Sequence, residues 1–308
     1  RDQIKEWKAK KGVVIVMNVE NGELLTLASA PTYNPNKYWE YEPVRYKEWS
    51  VQELFEPGST FKPINLALAL QEEVIQPTGT VYDSGLVHVG GWPLTNWNKE
   101  PNGLLGFAEV LQVSSNVGMV NIMQKLNPAK YWEWLNLLEL NKTLDTDLPG
   151  AVPGYMKEKD LFIKQPIHQA VASYGQGFSV TPLKLAQLHA LIANGGYLVN
   201  PHIKKSSSEK SVKSSYRSET NLLTPKVTKT VLDWMESVVE EGSGKGVKID
   251  NYRIGGKTGT SDQAEDGRAY TSKICSFVAI LPIEKPKYVV LVAVDGPRKP
   301  YAYGSTVA

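Results

Sequence analysis

Strand-like segments at both ends of the chain enclose a long helical middle, and this arrangement restricts the fold more than any other feature. Near the start, two apolar runs flank Asn21-Gly22, which predicts a β-hairpin with a type I′ turn. Near the end, three strands are predicted, at Arg253–Ser261, Ser276–Leu281 and Tyr288–Val294. We therefore predict an α+β fold, with a five-stranded antiparallel sheet built from both chain ends and a mostly helical central subdomain.

Six helices are predicted in the middle of the chain. Thr224-Pro225 starts the last of them, because a hydroxyl cap is followed by a proline. Asn194-Gly195-Gly196 ends the helix before it. The six helices span Phe61–Glu72, Phe107–Val113, Val117–Lys125, Lys130–Leu140, Thr181–Asn194 and Pro225–Glu241.

Composition excludes several classes of protein and site. The net charge of +2 argues against nucleic acid as a partner, and apolar runs such as Tyr288–Val294 are too short to cross a bilayer. The single Cys275 forbids an internal disulfide, and one cysteine with four scattered histidines does not make a standard zinc site. We predict no metal and no other cofactor. The low-complexity stretch Lys204–Glu219 predicts a solvated loop or mobile hairpin, or alternatively a lysine-rich docking surface.

A serine and a lysine stand at the start of the most apolar helix, in FEPGSTFKPINLALALQEE. Ser59 and Lys62 have i,i+3 spacing, so on a helical turn they lie on one face. The helix is apolar almost all round, which indicates burial, and burial lowers the pKa of a lysine. A neutral Lys62 could take the proton of Ser59. The pair could then act as nucleophile and general base without a histidine. Alternatively Ser59 is only a helix cap, and Pro63 is simply tolerated in the first turn.

Two further segments complete a pattern with this S-x-x-K. Ser114-Ser115-Asn116 lies between two predicted helices, and Lys257-Thr258-Gly259-Thr260 lies on a predicted strand. Each segment alone could be an ordinary helix junction or a loose edge strand. Together, in this order, they match the S-x-x-K, S-x-N and K-T-G motifs of serine acyltransferases. GSGKGV at Gly242–Val247 mimics a phosphate loop, but we interpret it as a helix-ending turn.

With these motifs in view, the chain resembles the transpeptidase domain of class B penicillin-binding proteins, which crosslink peptidoglycan. The likeness covers nearly the whole chain, and it implies the penicillin-binding/serine β-lactamase-like fold. It is carried, in family order, by FEPGSTFK, SSNVGM, DLPGAVPG, ASYGQGFSVTPLKLAQLHALIANGG, IGGKTGTS, SFVAILP and YVVLVAVDGP.

The resemblance assigns a role to each matching residue. Ser59 would attack the penultimate D-alanine of a stem peptide, with Lys62 as its general base. Ser114, assisted by Lys257, would relay a proton to the leaving amine, and Asn116 would hold Lys62 and the substrate amide. The backbone N–H groups of Ser59 and Thr260 would form the oxyanion hole. The terminal carboxylate of the substrate, or that of a β-lactam, would be bound on the strand that carries Lys257, Thr258, Gly259 and Thr260.

The resemblance also implies a setting for the chain. Residues 1–308 would be a transpeptidase domain without the N-terminal membrane helix, the pedestal domain and the C-terminal helix of the family. The full-length protein would be anchored at the extracytoplasmic face of the bacterial cytoplasmic membrane, in the periplasm. Its partners would be D-Ala-D-Ala stem peptides and β-lactams, with a membrane glycosyltransferase and divisome proteins. The segments look closer to the cell-division type than to the elongation type.

Other functions use the same three motifs. A D,D-carboxypeptidase lets water take the acyl group, and a β-lactam sensor domain shares the fold but is tethered to a signalling segment. A serine β-lactamase needs a deacylating base, often a glutamate, but Leu137 occupies that position in NLLELN and the surroundings predict a helix. The alternative that is not an enzyme is an inactive cell-division scaffold. The intact Ser59, Lys62 and Lys257 argue against it.

Overall fold

One five-stranded sheet joins the two ends of the chain in the computed structural model, which describes residues 2–205, 217–265 and 268–308. The strand order is β2-β1-β9-β8-β7, and every neighbouring pair is antiparallel. This confirms the predicted α+β fold and its sheet. The strands are β1 (Lys11–Asn18), β2 (Leu24–Ala30), β7 (Gly255–Glu265), β8 (Arg268–Leu281) and β9 (Tyr288–Asp295).

The hairpin at the start of the chain is present, but its predicted type I′ turn is wrong. A type I′ turn needs positive φ at both central residues, and of the two only Gly22 has it, with φ 82°. Residues 19–23 form a longer connection because they pair with a distant segment. His202 N–H donates to the Gly22 carbonyl at 3.1 Å, and Leu24 N–H donates to the His202 carbonyl at 2.8 Å. This tertiary pairing overrides the local turn preference.

The six predicted helices are all present, with ends shifted by a few residues. The structure adds short helices that the apolar periodicity did not reveal. The stretch Lys204–Glu219 falls largely on residues 206–216, which lie outside the described residues. The α-helices are α1 (Asp2–Glu6), α2 (Trp49–Gln52), α3 (Lys62–Gln71), α4 (Phe107–Gln112), α5 (Asn116–Met123), α6 (Pro128–Leu137), α7 (Lys159–Lys164), α8 (Pro166–Ala172), α9 (Pro182–Ala193), α10 (Pro225–Glu240) and α11 (Gly304–Val307).

Four short strands in the middle of the chain were not predicted. They form two antiparallel pairs, β3 with β6 and β4 with β5. Each has four residues, which is too short for a two-residue periodicity to stand out from the sequence. They matter because they support the residues that flank the candidate site. The strands are β3 (Thr80–Asp83), β4 (Leu86–Val89), β5 (Trp92–Thr95) and β6 (Gly103–Gly106).

Two helices fill the core between the sheet and the helical subdomain. Every residue of α9 is buried, and so is every residue of α3 except Gln71. Fully burying one leucine side chain such as Leu66 or Leu188 stabilises the fold by about 1.5–3 kcal/mol. The all-round apolar character of α3 therefore reflects its burial, as predicted. Because α3 begins at Lys62, this packing also draws the lysine into the interior.

The opposite face of the sheet is partly covered by the last residues of the chain. Val307 of α11 and Ala302 pack with Cys275 and Val294 in a small apolar cluster. Gly304 approaches the sheet so closely that an added Cβ would lie 2.4 Å from the carbonyl oxygens of Gly259 and Ser276. Among the described residues the longest helix is α10, with 16 residues. No helix in this part of the chain is both long enough and apolar enough to cross a membrane.

Candidate active site

A single 3₁₀ turn carries Ser59 and joins directly to the core helix α3. The turn spans Gly58–Phe61, and the Lys62 N–H donates to the Ser59 carbonyl across it. In a 3₁₀ turn the side chains at i and i+3 are eclipsed, so Ser59 and Lys62 project from the same side. The same bond accounts for Pro63. In a regular α-helix the N–H of residue 63 would donate to the Ser59 carbonyl, and proline has no N–H to give. Here the Lys62 N–H donates to that carbonyl instead.

Ser59 does not cap the helix. No side-chain cap bond is present at the start of the 3₁₀ turn or of α3. Within the described part of the chain, the Ser59 hydroxyl has no hydrogen-bond partner, and the residue is only partly buried. It is therefore open to a molecule that enters from solvent.

Lys62 is fully buried, and its ammonium group is surrounded by oxygen acceptors from the junction between α4 and α5. Its Nζ donates to the Ser114 carbonyl at 2.7 Å, to Asn116 Oδ1 at 2.8 Å and to Ser114 Oγ at 3.2 Å. These bonds tie α3 to the second motif. The lysine is thus fixed beside Ser114 and Asn116, without a bond to Ser59.

The Ser114 hydroxyl lies between two buried lysines. Lys257, also fully buried, donates from Nζ to Ser114 Oγ at 3.0 Å, opposite the bond from Lys62. Ser114 has φ 58°, in the left-handed region that only a small fraction of non-glycine residues occupy. Residues in such strained conformations persist only where the surrounding structure holds them in place, and they cluster at functional sites. The strained residue here is the one that connects the two lysines.

Both lysines have a lowered tendency to hold a proton. Burial lowers the pKa of Lys62 well below its ordinary value, and the positive charge of Lys257 lowers it further. Burial also lowers the pKa of Lys257, to about 7. One of the pair can therefore be neutral at physiological pH, which a free lysine is not. A neutral lysine amine is a competent base.

Asn116 is fixed by its bond to Lys62 and also by residues 95 and 96, at the end of β5. Its backbone N–H donates to Asn96 Oδ1 at 2.9 Å, and its side-chain Nδ2 donates to the Thr95 carbonyl at 3.1 Å. The amide orientation follows from these partners, because Oδ1 must accept from Lys62. Its position is thus set from two sides.

Lys257, Thr258, Gly259 and Thr260 lie on β7, which has one neighbouring strand in the sheet and so is an edge strand. The turn that carries Ser59 packs against this edge. An added Cβ on Gly58 would lie 3.3 Å from the Thr260 carbonyl, and one on Gly259 would lie 2.8 Å from Thr60 Cγ2. Glycine thus allows the turn Gly58–Phe61 to approach β7, and an extended peptide can pair along such an edge.

The structure therefore brings together all the residues that the motifs single out. Several neighbours were missed because no local pattern marks them. Ser243, in the turn after α10, has its hydroxyl 3.1 Å from that of Thr258. That turn is GSGKGV, and its Gly242 and Gly244 N–H groups both donate to the Val238 carbonyl, so the predicted helix-ending turn is confirmed. Asp83 and Asn96 were also missed, although both contact the junction that carries Ser114.

A contact between two glycines far apart in sequence offers a test of how the turn that carries Ser59 is held. Gly175 has φ 85°, and its carbonyl accepts from the Gly58 N–H at 2.9 Å. An added Cβ would lie 2.0 Å from the Gly58 carbonyl oxygen. We expect Gly175→Ala to displace Ser59 and to slow its acylation by a β-lactam by about 100-fold, the cost of misplacing a reacting group by about 1 Å. The measurement is the labelling rate with a fluorescent penicillin.

The matched control is Gly195→Ala. Gly195 has the same φ of 85°, but nothing lies within 4 Å of its added Cβ. This variant carries equal backbone strain without the contact, so its labelling rate should match that of the wild type. Equal losses in both variants would show that strain alone, and not the contact with Gly58, causes the effect.

Comparisons with known proteins agree with this geometry. Residues 12–308 match the penicillin-binding protein transpeptidase domain. The chain is 39% identical to a peptidoglycan D,D-transpeptidase FtsI homolog of Mesostigma viride, over 100% of this chain and 56% of that protein. It is 33% identical to stage V sporulation protein D of Bacillus subtilis (strain 168), over 96% of this chain and 47% of that protein. The chain thus spans about half the length of these relatives.

A solved structure gives the same result for the fold. The transpeptidase domain of penicillin-binding protein 3 from Burkholderia pseudomallei superposes with a TM-score of 0.86 at 29% identity, covering 100% of this chain and 86% of that one. The shared fold, the matched family region and the relatives lead to one assignment. The chain belongs to the penicillin-binding protein transpeptidase domain family.

Proposed function

We propose that this chain is a serine D,D-transpeptidase that crosslinks peptidoglycan stem peptides and is acylated by β-lactams. One observation carries the proposal: the Ser114 hydroxyl bridges two fully buried lysines, Lys62 and Lys257. Lys62 lies one 3₁₀ turn from Ser59, on the same side of the turn. This arrangement supplies a nucleophile, a base of lowered pKa and a path for a proton. The names of the relatives support the same reaction.

In the acylation step, Ser59 Oγ would attack the carbonyl carbon of the penultimate D-alanine, and its proton would pass to the neutral amine of Lys62. The resulting oxyanion would be stabilised by the backbone N–H groups of Ser59 and Thr260, each worth roughly 3–4 kcal/mol in other enzymes. The C–N bond to the terminal D-alanine would then break. The proton held by Lys62 would reach the leaving amine through the Ser114 hydroxyl.

In the second step, the acyl group on Ser59 would pass to an amine of a neighbouring stem peptide, which forms the crosslink and restores the serine. Lys257 and Thr258 would hold the substrate carboxylate beside the edge strand β7. Water as the acceptor would give a D,D-carboxypeptidase instead. For a β-lactamase, the position expected to supply the glutamate is the exposed Leu137, at the end of helix α6.

The test uses a synthetic stem pentapeptide that ends in D-Ala-D-Ala, with and without a D-amino acid as acceptor. We expect release of D-alanine, and in the presence of acceptor an exchanged peptide detected by mass spectrometry. Hydrolysed tetrapeptide alone would identify a carboxypeptidase. Absence of D-alanine release and of any penicillin adduct would contradict the proposal, whereas an adduct without turnover would point to a sensor.

The setting of the full-length protein is part of the same proposal. We infer that the domain acts at the extracytoplasmic face of the bacterial membrane, where its stem-peptide substrates are, and that a membrane glycosyltransferase and divisome proteins are its partners. The name of the Bacillus relative, a sporulation protein, and those of the FtsI homologs support a role in cell division and related processes. Labelling of the full-length protein in intact cells by a penicillin that does not cross the membrane would test the location.

A further inference from the structure

A buried carboxylate lies behind the second motif and has no place in the roles described so far. Asp83, at the end of β3, is completely inaccessible to solvent. Four donors surround it: the Ser115 hydroxyl at 2.6 Å, Asn102 Nδ2 at 2.6 Å, the Gly85 N–H at 2.8 Å and Asn96 Nδ2 at 2.9 Å. Burial alone would raise the pKa of Asp83, but these bonds together hold it below its ordinary value. The group is therefore ionised at neutral pH.

Two of these bonds lead directly to the catalytic junction. Ser115, which donates to Asp83, also accepts from the Gly118 N–H at 2.7 Å and so caps the helix α5. Asn96, which donates to Asp83 with its Nδ2, accepts with its Oδ1 from the N–H groups of Asn116 and Val117, at 2.9 and 3.2 Å. A buried, fully satisfied network of this kind specifies one arrangement of its members.

Charge adds a second effect. The charged groups of the described residues that act on Lys62 are Lys257, from β7, and Asp83, from the end of β3. Lys257 favours the neutral form of Lys62, and Asp83 favours the protonated form. Ser114 and Asn116, which also face Lys62, carry no charge. Asp83 therefore opposes the effect of Lys257 on the same amine.

We propose that Asp83 is a positioning residue for the reaction: through Ser115 and Asn96 it fixes the junction that holds Asn116 and Ser114 against Lys62. Its negative charge also sets how readily Lys62 gives up its proton. This inference rests on the proposed function, since it concerns the base of that reaction. It assigns a role to a residue that lies 32 positions from Ser115 in the sequence.

The test is Asp83→Asn, with the rate of penicillin acylation measured between about pH 5 and 10. Loss of the carboxylate removes the attraction that favours protonated Lys62, so the pKa of Lys62 falls. The acid limb of the rate profile should then move to lower pH, by roughly 0.5–1 unit. The maximal rate should fall by about 10- to 100-fold, because the junction loses its anchor.

Asp147→Asn is the matched control. Asp147 also accepts from backbone N–H groups of a neighbouring loop, those of Ile203 and Lys204 at 2.9 and 2.8 Å, but it does not contact the candidate site. Its profile should coincide with that of the wild type. An unchanged acid limb in Asp83→Asn would overturn the proposal, even with a lower maximal rate, because a purely structural anchor would not move it.

A second variant keeps the proposal open to refutation if Asp83→Asn does not fold, as judged by circular dichroism. Asn96→Ala removes the acceptor for the Asn116 N–H but leaves the carboxylate in place. We expect acylation to slow by at least about 10-fold. An unchanged rate would overturn the proposal that Asp83 positions Asn116 through Asn96. A wild-type protein that penicillin does not label would refute the proposed function instead, so the two failures are distinguishable.

Discussion

Replacing Ser59 with alanine is expected to abolish covalent labelling by benzylpenicillin. The wild-type chain should gain the mass of one penicillin in an intact-mass spectrum, because opening the β-lactam ring adds the whole molecule to the serine. Ser59→Ala lacks the hydroxyl oxygen that we expect to form this bond, so its mass should not change. The loss of the penicillin adduct should be complete and not partial, which makes it the largest effect predicted for the chain.

The geometry also identifies the competing nucleophile. The Ser114 hydroxyl contacts both lysines, at 3.2 and 3.0 Å, whereas the Ser59 hydroxyl has no such contact within the described residues. By contact with a base alone, Ser114 would be the stronger candidate. It is nevertheless the less suitable nucleophile, because it is already engaged between the two lysines, while Ser59 is open to the substrate.

Peptide mapping of the adduct decides between the two serines. We expect the modified peptide to contain Ser59 and not Ser114. Ser237→Ala serves as the matched control, because among the described residues the Ser237 hydroxyl bonds only to the Trp234 carbonyl of its own helix, at 2.7 Å. A full adduct on Ser59→Ala that maps to Ser114 would reverse the roles proposed for these residues.

The fold and part of the site could be predicted because they depend on local patterns. The antiparallel sheet follows from strand-like runs at the two chain ends, and the burial of α3 follows from its apolar composition. The eclipsed placement of Ser59 and Lys62 follows from their i,i+3 spacing. The type I′ turn at Asn21-Gly22 was predicted by the same local logic and is wrong, because the turn pairs with His202.

The rest of the site depends on contacts between distant segments, which no spacing encodes. Asn96 lies 20 residues from Asn116, and the bond from Lys257 to Ser114 spans 143 residues. The second and third motifs were recognised only because their order resembles a known family. Asp83 lies in none of the matched segments, and Gly175 lies in one to which no role was assigned, so neither was predicted as part of the site. Their importance becomes visible only when the burial and the partners of each polar group are known.

Replacing Lys62 with methionine is expected to produce the second large effect. Methionine keeps most of the volume of the buried side chain but has no amine to accept the proton of Ser59. We expect the acylation rate to fall by about 10²- to 10⁴-fold, the usual contribution of a general base. Stopped-flow or quenched labelling with a fluorescent penicillin measures this rate, and circular dichroism checks that the variant is folded.

Lys184→Met is the matched control, because Lys184 is also a buried lysine of lowered pKa. It is about 4% exposed, its pKa is lowered to about 8 by burial, and its nearest carboxylate is Glu139 at 3.9 Å. Lys184 lies at the start of α9 and takes no part in the candidate site. The control therefore separates the loss of a base from the general effect of replacing a buried lysine, and its acylation rate should equal that of the wild type.

The pH dependence gives the Lys62 prediction its sharpest form. The active base is the neutral amine, so the wild-type rate should rise as pH increases through the pKa of Lys62. Because burial and Lys257 lower that pKa well below its ordinary value, the rise should occur well below the pH at which a free lysine loses its proton, about 10.4. Lys62→Met should be slow at every pH and should lack this limb. A variant that keeps the wild-type limb would show that another group, with Lys257 the first candidate, takes the proton of Ser59.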